Sequence, residues 1–255
     1  IKPRFIVTSY YSRLTPSIIA ITISKSDTRM MKPSDINVLI ACEESQAECL
    51  AFRELGFNAF SADLQKARYD SSFHILGDVT PLLKGGVLFN TQDGIEHCLD
   101  EWHLIVAHPP CTYICKVSSV QLVHFENGVQ MIDEKRLQLM KDAVSFFYCC
   151  LNSCAHYVAV ENPLPMKRAG LPKPSFFIQP SWFGVKYTKK TLFWTKNLPP
   201  LMPELIYPNP KEYVRSSRGK YRSRTFTQVA TAMAKQWGGY ILSELNSISG
   251  SDSSV

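Results

Sequence analysis

The chain has 255 residues, of which 45% are hydrophobic and 20% are charged. This length and composition favour one large domain with a sizeable core and exclude a globally disordered chain. The formal net charge of +6 is compatible with a polyanionic partner such as nucleic acid, but proteins that bind none reach it too. No apolar run approaches the roughly 18 residues that span a bilayer, so we expect no membrane segment.

The eight cysteines form no Cys-x-x-Cys pair, and no histidine stands at a spacing typical of zinc sites. In a chain of this length the pattern is typical of reduced thiols, most of them buried. We therefore expect no metal site and a cytoplasmic location.

Residues 1–35 are predicted to be an extension outside the fold, because the first methionines, Met30 and Met31, stand just before a strong strand pattern. The apolar run at 18–23 has two other interpretations. It could be the core of a signal peptide, although no convincing cleavage site follows it, or it could be an additional edge strand.

Strand and helix patterns alternate from residue 36 onward. Strands are predicted at 36–41, 57–62, 74–79, 103–107 and 157–160, with a late strand pair at 181–184 and 190–194. Helices are predicted at 44–55, 133–151 and 227–245, the last interrupted near Gly238 and Gly239. The first helix carries Ala47, Leu50, Ala51 and Leu55 on one side. This alternation indicates a mostly parallel sheet.

Polar or acidic residues follow five of these strands. They are Glu43 with Glu44, Asp63, Asp78, Cys111 and Glu161. Because the carboxyl ends of parallel strands meet at one edge of a sheet, we expect a ligand site there. The stretch 102–113 is central, since its two prolines end a strand and leave Cys111 just beyond it.

Each of these side chains has a chemical and a plainer interpretation. Asp63 suits ribose hydroxyls and Asp78 an adenine amino group, but both could be turn residues. Cys111 is a candidate nucleophile if its thiolate is favoured, or else a packed apolar side chain. Glu161 could be a general acid if burial raised its pKa, or else a surface turn residue.

Three short motifs occur in order at these strand ends: Gly77-Asp78-Val79, Pro110-Cys111 and Glu161-Asn162. Two later segments, 183–185 and 189–193, follow them. In kind and order they resemble the DNA cytosine-5 methyltransferase family, and also the compact methyltransferase-like proteins of phage genomes. The similarity extends from about residue 37 to about residue 238.

The resemblance implies a Rossmann-like α/β fold with helices on both faces (class I methyltransferase) and S-adenosylmethionine as the cofactor. It implies that Cys111 adds to C6 of a cytosine in DNA while Glu161, beside Asn162, assists at N3. Lys189 or Lys190 would hold the ring oxygen. The base would be flipped out of a duplex or taken from a single strand, in a bacterial host cell if the protein is phage-encoded.

The resemblance also implies a set of binding residues. Cofactor contacts would come from Glu44, Ser45, Asp63, Asp78, Val79 and Pro109, and nucleic-acid contacts from Lys190, Arg218, Arg222 and Arg224. The methyltransferase-like domain would occupy residues 36–245, and residues 246–255 would be a flexible tail.

The chain departs from the family in three places. The cofactor loop at 42–47 contains no glycine, and lysines replace the usual arginine pair at 189–190. A basic loop at 195–225 stands in place of a target-recognition region.

Two other functions stay open. Amino methyltransferases of cytosine or adenine place Asp/Asn/Ser-Pro-Pro-aromatic at the same strand end, and residues 108–111 match only the prolines. A non-catalytic nucleic-acid-binding protein with the same fold is the other alternative.

Overall fold

The computed structural model describes residues 29–213 and 224–251, and a seven-stranded sheet lies at its centre. In chain order the strands are β1 (Asn37–Ala41), β2 (Asn58–Asp63), β3 (His74–Leu76), β4 (Leu104–Ala107), β5 (Tyr157–Asn162), β6 (Phe176–Ile178) and β7 (Thr191–Lys196). Across the sheet the order is β6-β7-β5-β4-β1-β2-β3. The pairs among β1 to β5 are parallel, whereas β7 is antiparallel to both of its neighbours.

The middle strands are apolar because both of their faces are covered. All five residues of β1 and all four of β4 are buried. Along β1, Val38 and Ile40 belong to the core on one face of the sheet, and Leu39 and Ala41 to the core on the other. The strand order reverses between β1 and β4, which is where ligands bind in open α/β sheets.

In the described part of the chain, four α-helices cover the two faces. They are α1 (Ala47–Glu54), α2 (Thr80–Leu83), α3 (Glu134–Leu151) and α4 (Thr227–Ser251). α1 and α4 pack on one face, and α2 and α3 on the other. The fold is therefore α/β, with a mostly parallel, Rossmann-like sheet and helices on both faces, as the sequence predicts. None of these helices is long and apolar enough to cross a membrane.

α3 confirms a prediction that rests on strong periodicity. Asp133 precedes it and accepts the backbone N–H of Arg136 at 2.9 Å, as a helix N-cap does. Met140 and Phe147 are buried, and the ring of Phe147 packs edge-on against Trp194 of β7 with 5.0 Å between centroids. The contact fixes α3 on the β5–β7 half of the sheet.

α1 begins later than predicted, and its buried side coincides only in part with the predicted one. Gln46 lies in the left-handed region with a φ of 57°, so the helix begins at Ala47 and not at residue 44. Glu48 and Phe52 are among its buried residues, whereas Leu55 is 38% exposed. The predicted face is confirmed at Ala51, which is buried, and at Ala47, which packs on the core, but it is wrong at Leu55.

α4 is continuous through Gly238 and Gly239, so the predicted interruption is wrong. A Cβ at Gly238 would lie 2.5 Å from Cζ of Phe57, which shows that this glycine serves a close approach between α4 and the start of β2. α4 also continues past residue 245 to Ser251. Within this extension the Asn246 side chain accepts the backbone N–H of Met31 at 2.7 Å and donates to its carbonyl at 3.2 Å.

Smaller elements connect these layers. Pairs of short strands join Leu88–Asn90 to Glu96–Cys98, Val123–Glu126 to Val129–Ile132, and Tyr187–Thr188 to Lys211–Glu212. Short 3-10 helices occupy Pro33–Asp35, Ser71–Phe73, Lys116–Leu122, Lys167–Ala169 and Pro180–Trp182. The late strand pair is therefore shifted from the prediction: β7 pairs with β6, and the stretch predicted as its partner includes part of a 3-10 helix.

Candidate active site

The turns after the parallel strands lie along one edge of the sheet, and the edge is densest at β4 and β5. β4 ends at Ala107, and the backbone N–H of His108 still reaches the Ala41 carbonyl at 2.9 Å. Pro109 and Pro110 cannot donate to the ladder, so the chain leaves the sheet there. Glu161 and Asn162 are the last residues of the neighbouring β5.

His108 lies between two carboxylates at this edge. Its Nε2 is 3.0 Å from Oε2 of Glu48 in α1, and its Nδ1 is 3.2 Å from Oε2 of Glu161. The Glu48 side chain is fully buried, and the side chains of His108 and Glu161 are 12% and 17% exposed. Both ring nitrogens face acceptors, and only a protonated imidazole can donate from both.

The triad Glu48–His108–Glu161 stabilises a protonated imidazole and an ionised Glu161. Burial alone would lower the pKa of His108, but the charge of Glu48 and the hydrogen bonds to both carboxylates outweigh it and raise that pKa well above its usual value. Burial alone would raise the pKa of Glu161, but the His108 hydrogen bond and the charge of Lys189 outweigh it and lower that pKa. Glu161 is therefore an ionised carboxylate, the opposite of the raised pKa that a general acid needs.

Glu48 is held in place from two sides. Thr225, just before α4, donates its hydroxyl to Oε1 of Glu48 at 2.7 Å. Glu43 accepts the backbone N–H groups of Glu48 and Cys49 at 2.8 and 3.3 Å, which satisfies the first turn of α1. Burial and the nearby charge of Glu48 raise the pKa of Glu43 to about 8.

A small cavity lies beside Glu161. Its volume is about 20 Å³, room for about one water molecule. Its wall includes Lys189, Arg224, Thr225 and Phe226. A nucleobase does not fit in this space, so a base could reach Glu161 only if part of that wall moved.

Cys111 and Cys115 form a thiol pair in the loop after β4. The backbone N–H of Cys115 donates to the Cys111 carbonyl at 3.0 Å, which closes a turn between them. The hydrogen bond to Cys115 and burial raise the pKa of Cys111, and the charge of Glu161 adds to the effect. Hydrogen bonding with Cys111 and Ser118 lowers the pKa of Cys115. A negative charge on the pair is therefore favoured on Cys115.

The loop after β4 is tied to the loop after β5. The Asn162 side chain donates to the Pro109 carbonyl at 3.0 Å, and the backbone N–H of Lys116 donates to the Leu164 carbonyl at 2.8 Å. Asn162 is fully buried, and its Oδ1 has no hydrogen-bond partner within the described residues. These bonds hold the two segments together, with Glu161 close enough to Cys111 for its charge to raise the pKa of that thiol.

The glycine-free loop after β1 still makes left-handed turns. Cys42 and Gln46 have φ values of 62° and 57°, a conformation that costs a non-glycine residue about 1–3 kcal/mol. The Gln46 side chain accepts the backbone N–H groups of Tyr69 and Asp70 at 3.1 and 2.8 Å, which holds the second turn. Side-chain hydrogen bonds thus replace the freedom that glycine would supply.

Burial, and to a smaller extent the charges of Asp63 and Asp78, raises the pKa of the Cys42 thiol to about 12. Both carboxylates therefore lie near this loop. Asp63 accepts the backbone N–H of Gln65 at 2.8 Å through Oδ1. Asp78 accepts the N–H and hydroxyl of Thr80 at 2.9 and 2.8 Å, also through Oδ1. Each therefore serves a turn with one oxygen, and the second oxygen can accept from a ligand hydroxyl or amine. These two acceptors fit the hydroxyl and amino groups at the nucleoside end of S-adenosylmethionine.

Of the other predicted cofactor contacts, Ser45 and Val79 are buried, and the Ser45 hydroxyl is 3.5 Å from Oε1 of Glu43. Glu44 forms an ion pair with Arg224, a predicted nucleic-acid contact, at 3.5 Å. Lys190 is exposed, with its Nζ 4.4 Å from the centroid of the Phe177 ring. Arg218 and Arg222 lie outside the described residues.

The sequence interpretation missed Glu48 and Thr225 and gave His108 no role. An acidic residue followed at spacings of three and four by apolar Ala51 and Phe52 was the available signal for Glu48. His108 stood directly before the two prolines but matched no motif. Within the described residues, no group of three or more His, Cys, Asp or Glu side chains has the arrangement of a metal site.

Comparison with known proteins leaves the function open. No protein-family model matches the chain, and no curated protein shows significant similarity to it. Among solved structures, it is similar to a crystal structure of a proposed DNA modification methyltransferase encoded within a prophage of E. coli, with 16% identity and a TM-score of 0.38. The match covers 68% of this chain and 52% of the other, so this chain spans about half of that protein's length. Similarity this low does not indicate a function.

Proposed function

We propose that this protein is an S-adenosylmethionine-dependent DNA methyltransferase that modifies C5 of cytosine through a covalent adduct with Cys111. The supporting observation is that Cys111, in the loop after β4, and Glu161, at the end of the adjacent parallel strand β5, lie at the same edge of the sheet. The hydrogen bond from the Asn162 side chain to the Pro109 carbonyl, 3.0 Å long, links the end of β5, which carries Glu161, to the loop that carries Cys111. A nucleophile and a proton-transfer group at neighbouring strand ends are what addition to a pyrimidine ring requires.

Each residue then has a defined task. Cys111 forms a bond to C6 of the cytosine, and Glu161 transfers a proton to N3, so that C5 becomes nucleophilic. Lys189, whose charge already acts on Glu161, hydrogen-bonds the ring oxygen. Bound S-adenosylmethionine supplies an electrophilic methyl group. Water takes the C5 proton, the bond from Cys111 to C6 breaks to release the product, and the Cys111 thiolate regains its proton from Cys115.

Cofactor binding is assigned to the β1–β3 part of the edge. Asp63 accepts from the ribose hydroxyls and Asp78 from the adenine amino group, each through the oxygen that its turn does not use. Val79 and Pro109 provide apolar contacts, and the 42–47 loop with Glu44 and Ser45 surrounds the methionine end.

The wall that contains Lys189 and Arg224–Phe226 moves to admit the base, and Cys115 receives the proton of Cys111 as the adduct forms. A duplex base must be flipped for this, whereas a single strand needs no unpairing. Lys190, Arg218, Arg222 and Arg224 remain the proposed contacts to the DNA backbone.

The amino methyltransferase alternative has weaker support. An amino group needs hydrogen-bond acceptors to orient it, but His108 carries two N–H donors and the Pro109 carbonyl already accepts from Asn162. At positions 108 and 109, therefore, a donor side chain stands where that motif has an acceptor, and the backbone carbonyl is already engaged.

Mass spectrometry of nucleosides tests the proposal. DNA from cells that express the protein is digested and compared with DNA from cells that express Cys111→Ser at the same level. We expect 5-methylcytosine only with the unaltered protein. N4-methylcytosine or N6-methyladenine would establish the amino methyltransferase, and no modified base together with DNA binding would establish the binding protein.

A further inference from the structure

The proposed reaction leaves a proton unaccounted for. Glu161 has to deliver a proton to N3, yet the hydrogen bond from His108 and the charge of Lys189 keep Glu161 ionised. A carboxylate without a proton is not an acid. The proton must therefore come from a group within hydrogen-bond reach of Glu161.

We propose that His108 is that group, and that Glu48, His108 and Glu161 form a buried proton relay. The inference deepens the proposed function and rests on it. Nδ1 of His108 lies 3.2 Å from Oε2 of Glu161, within hydrogen-bond distance. The site has room for about one water, so no large solvent pool competes with the imidazolium.

The transfer balances within the triad. As the sulfur of Cys111 bonds to C6, electron density moves to N3 and makes it basic. Glu161 gives N3 a proton and receives the proton of Nδ1, which leaves His108 neutral. When the bond from Cys111 to C6 breaks, N3 returns its proton to Glu161 and then to Nδ1, so the relay is restored with each turnover.

Glu48 makes the return step favourable. Oε2 of Glu48 lies 3.0 Å from Nε2 of His108 and accepts its N–H, which keeps one proton on Nε2. The neutral ring therefore has its lone pair on Nδ1, towards Glu161. Glu48 is in turn fixed by the hydroxyl of Thr225 at 2.7 Å. Its unscreened charge in a fully buried position favours protonation of the ring again.

Three other titratable groups lie near the triad. Glu43, in the turn after β1, lies close enough to Glu48 and His108 for its pKa to respond to both. Lys189 acts on Glu161 from the segment before β7, and Arg224 lines the same cavity before α4. A structural role is the competing explanation, because the same ion pairs also tie α1 to β4 and β5.

Exchange of the C5 hydrogen of cytosine for deuterium separates the two roles. Adduct formation with N3 protonation makes C5 exchangeable, so the rate can be followed by mass spectrometry on a cytosine oligonucleotide in D₂O without S-adenosylmethionine. The unaltered protein, His108→Gln and Glu48→Gln are compared across pH, and thermal unfolding of each variant is measured alongside.

We expect His108→Gln to lower the exchange kcat about 100-fold with little change in KM for DNA. Its residual rate should rise as pH falls, because Glu161 must then take its proton from solvent. Glu48→Gln keeps an acceptor for Nε2 but removes the charge, so the alkaline decline of the rate should move to lower pH.

Two results would overturn the relay alone: pH profiles of both variants that are parallel to that of the unaltered protein, or a loss of activity that follows only the loss of folded protein. No exchange and no 5-methylcytosine with the unaltered protein would overturn the proposed function and the relay with it.

Discussion

The backbone N–H of Cys115 donates to the carbonyl of Cys111 at 3.0 Å, and interaction with the Cys115 side chain is the largest cause that raises the pKa of the Cys111 thiol. The proposed nucleophile is thus held as a neutral thiol beside a sulfur on which negative charge is favoured. This pairing makes Cys115 the acceptor for the proton of Cys111, a role that neither residue suggests alone.

The thiol pair predicts unequal reactivity. At neutral pH, Cys115 should be alkylated by iodoacetamide faster than Cys111, because only the thiolate reacts. In Cys115→Ala the pKa of Cys111 should fall, since the hydrogen bond and charge that raise it are gone, and its alkylation near pH 8 should quicken by about 10-fold, roughly one pKa unit.

Peptide mass spectrometry at timed intervals measures both rates, and the exposed thiol of Cys98 serves as an internal reference. Faster labelling of Cys111 than of Cys115 in the unaltered protein would contradict the assignment.

Asp63 is predicted to bind the cofactor. Asp63→Asn keeps Oδ1 as an acceptor for Gln65 but removes the charge offered to ribose hydroxyls, so we expect S-adenosylmethionine affinity to fall about 10- to 100-fold, the effect of losing hydrogen bonds to a charged group. Titration calorimetry measures it. Glu54→Gln, on the exposed side of α1, is the matched control, and equal affinity for both variants would remove Asp63 from the site.

Glu43 predicts a pH dependence of stability. Its pKa is about 8 in the folded protein and near 4.5 when unfolded, so the folded state binds the proton more tightly. This stabilisation is complete below about pH 4.5 and is lost as pH rises towards 8, with a slope of at most about 1.4 kcal/mol per pH unit.

Urea unfolding between pH 5 and 8 should show a smaller decline in the free energy of unfolding for Glu43→Gln than for the unaltered protein. A decline of the same size in both would show that Glu43 does not carry it.

The two glycines of α4 should respond in opposite ways to the same substitution. Gly238→Ala places a methyl group against the Phe57 ring and should cost about 1–3 kcal/mol, as overpacking does. Gly239→Ala meets nothing within 4 Å and should stabilise the helix by up to about 1 kcal/mol. Denaturant unfolding tests the pair, and two changes of the same sign would contradict an uninterrupted α4.

The sequence was most informative where periodicity and topology act together. β1, β4 and α3 carry continuous or strongly periodic apolar residues, and a parallel sheet necessarily gathers the ends of its strands. Cys111 and Glu161 could therefore be predicted to lie at the same edge of the sheet. The Gly-Gly pair in α4 predicted an interruption that does not occur, because glycine is found both where a helix ends and where a helix packs closely on a neighbour.

The Glu48–His108–Glu161 triad could not be predicted in the same way. Its members come from α1, the turn after β4 and the end of β5, and no spacing along the chain relates them. The position of Glu48 depends on the left-handed turn at Gln46, which side-chain hydrogen bonds to the 69–70 segment hold. The ionisation state of Glu161 depends on His108, which the sequence did not place beside it. Burial alone would raise the pKa of Glu161, whereas the hydrogen bond from His108 and the charge of Lys189 lower it.

A trapped adduct tests the central claim most directly. In a DNA oligonucleotide with 5-fluorocytosine, methyl transfer leaves no C5 proton to remove, so the enzyme–DNA bond cannot break. We predict that, with S-adenosylmethionine present, peptide mass spectrometry will find the methylated fluorocytosine attached to Cys111, and that Cys111→Ser will form no adduct. Methylation of an ordinary cytosine oligonucleotide by Cys111→Ser at an undiminished rate, or an adduct on Cys115 in place of Cys111, would contradict the account.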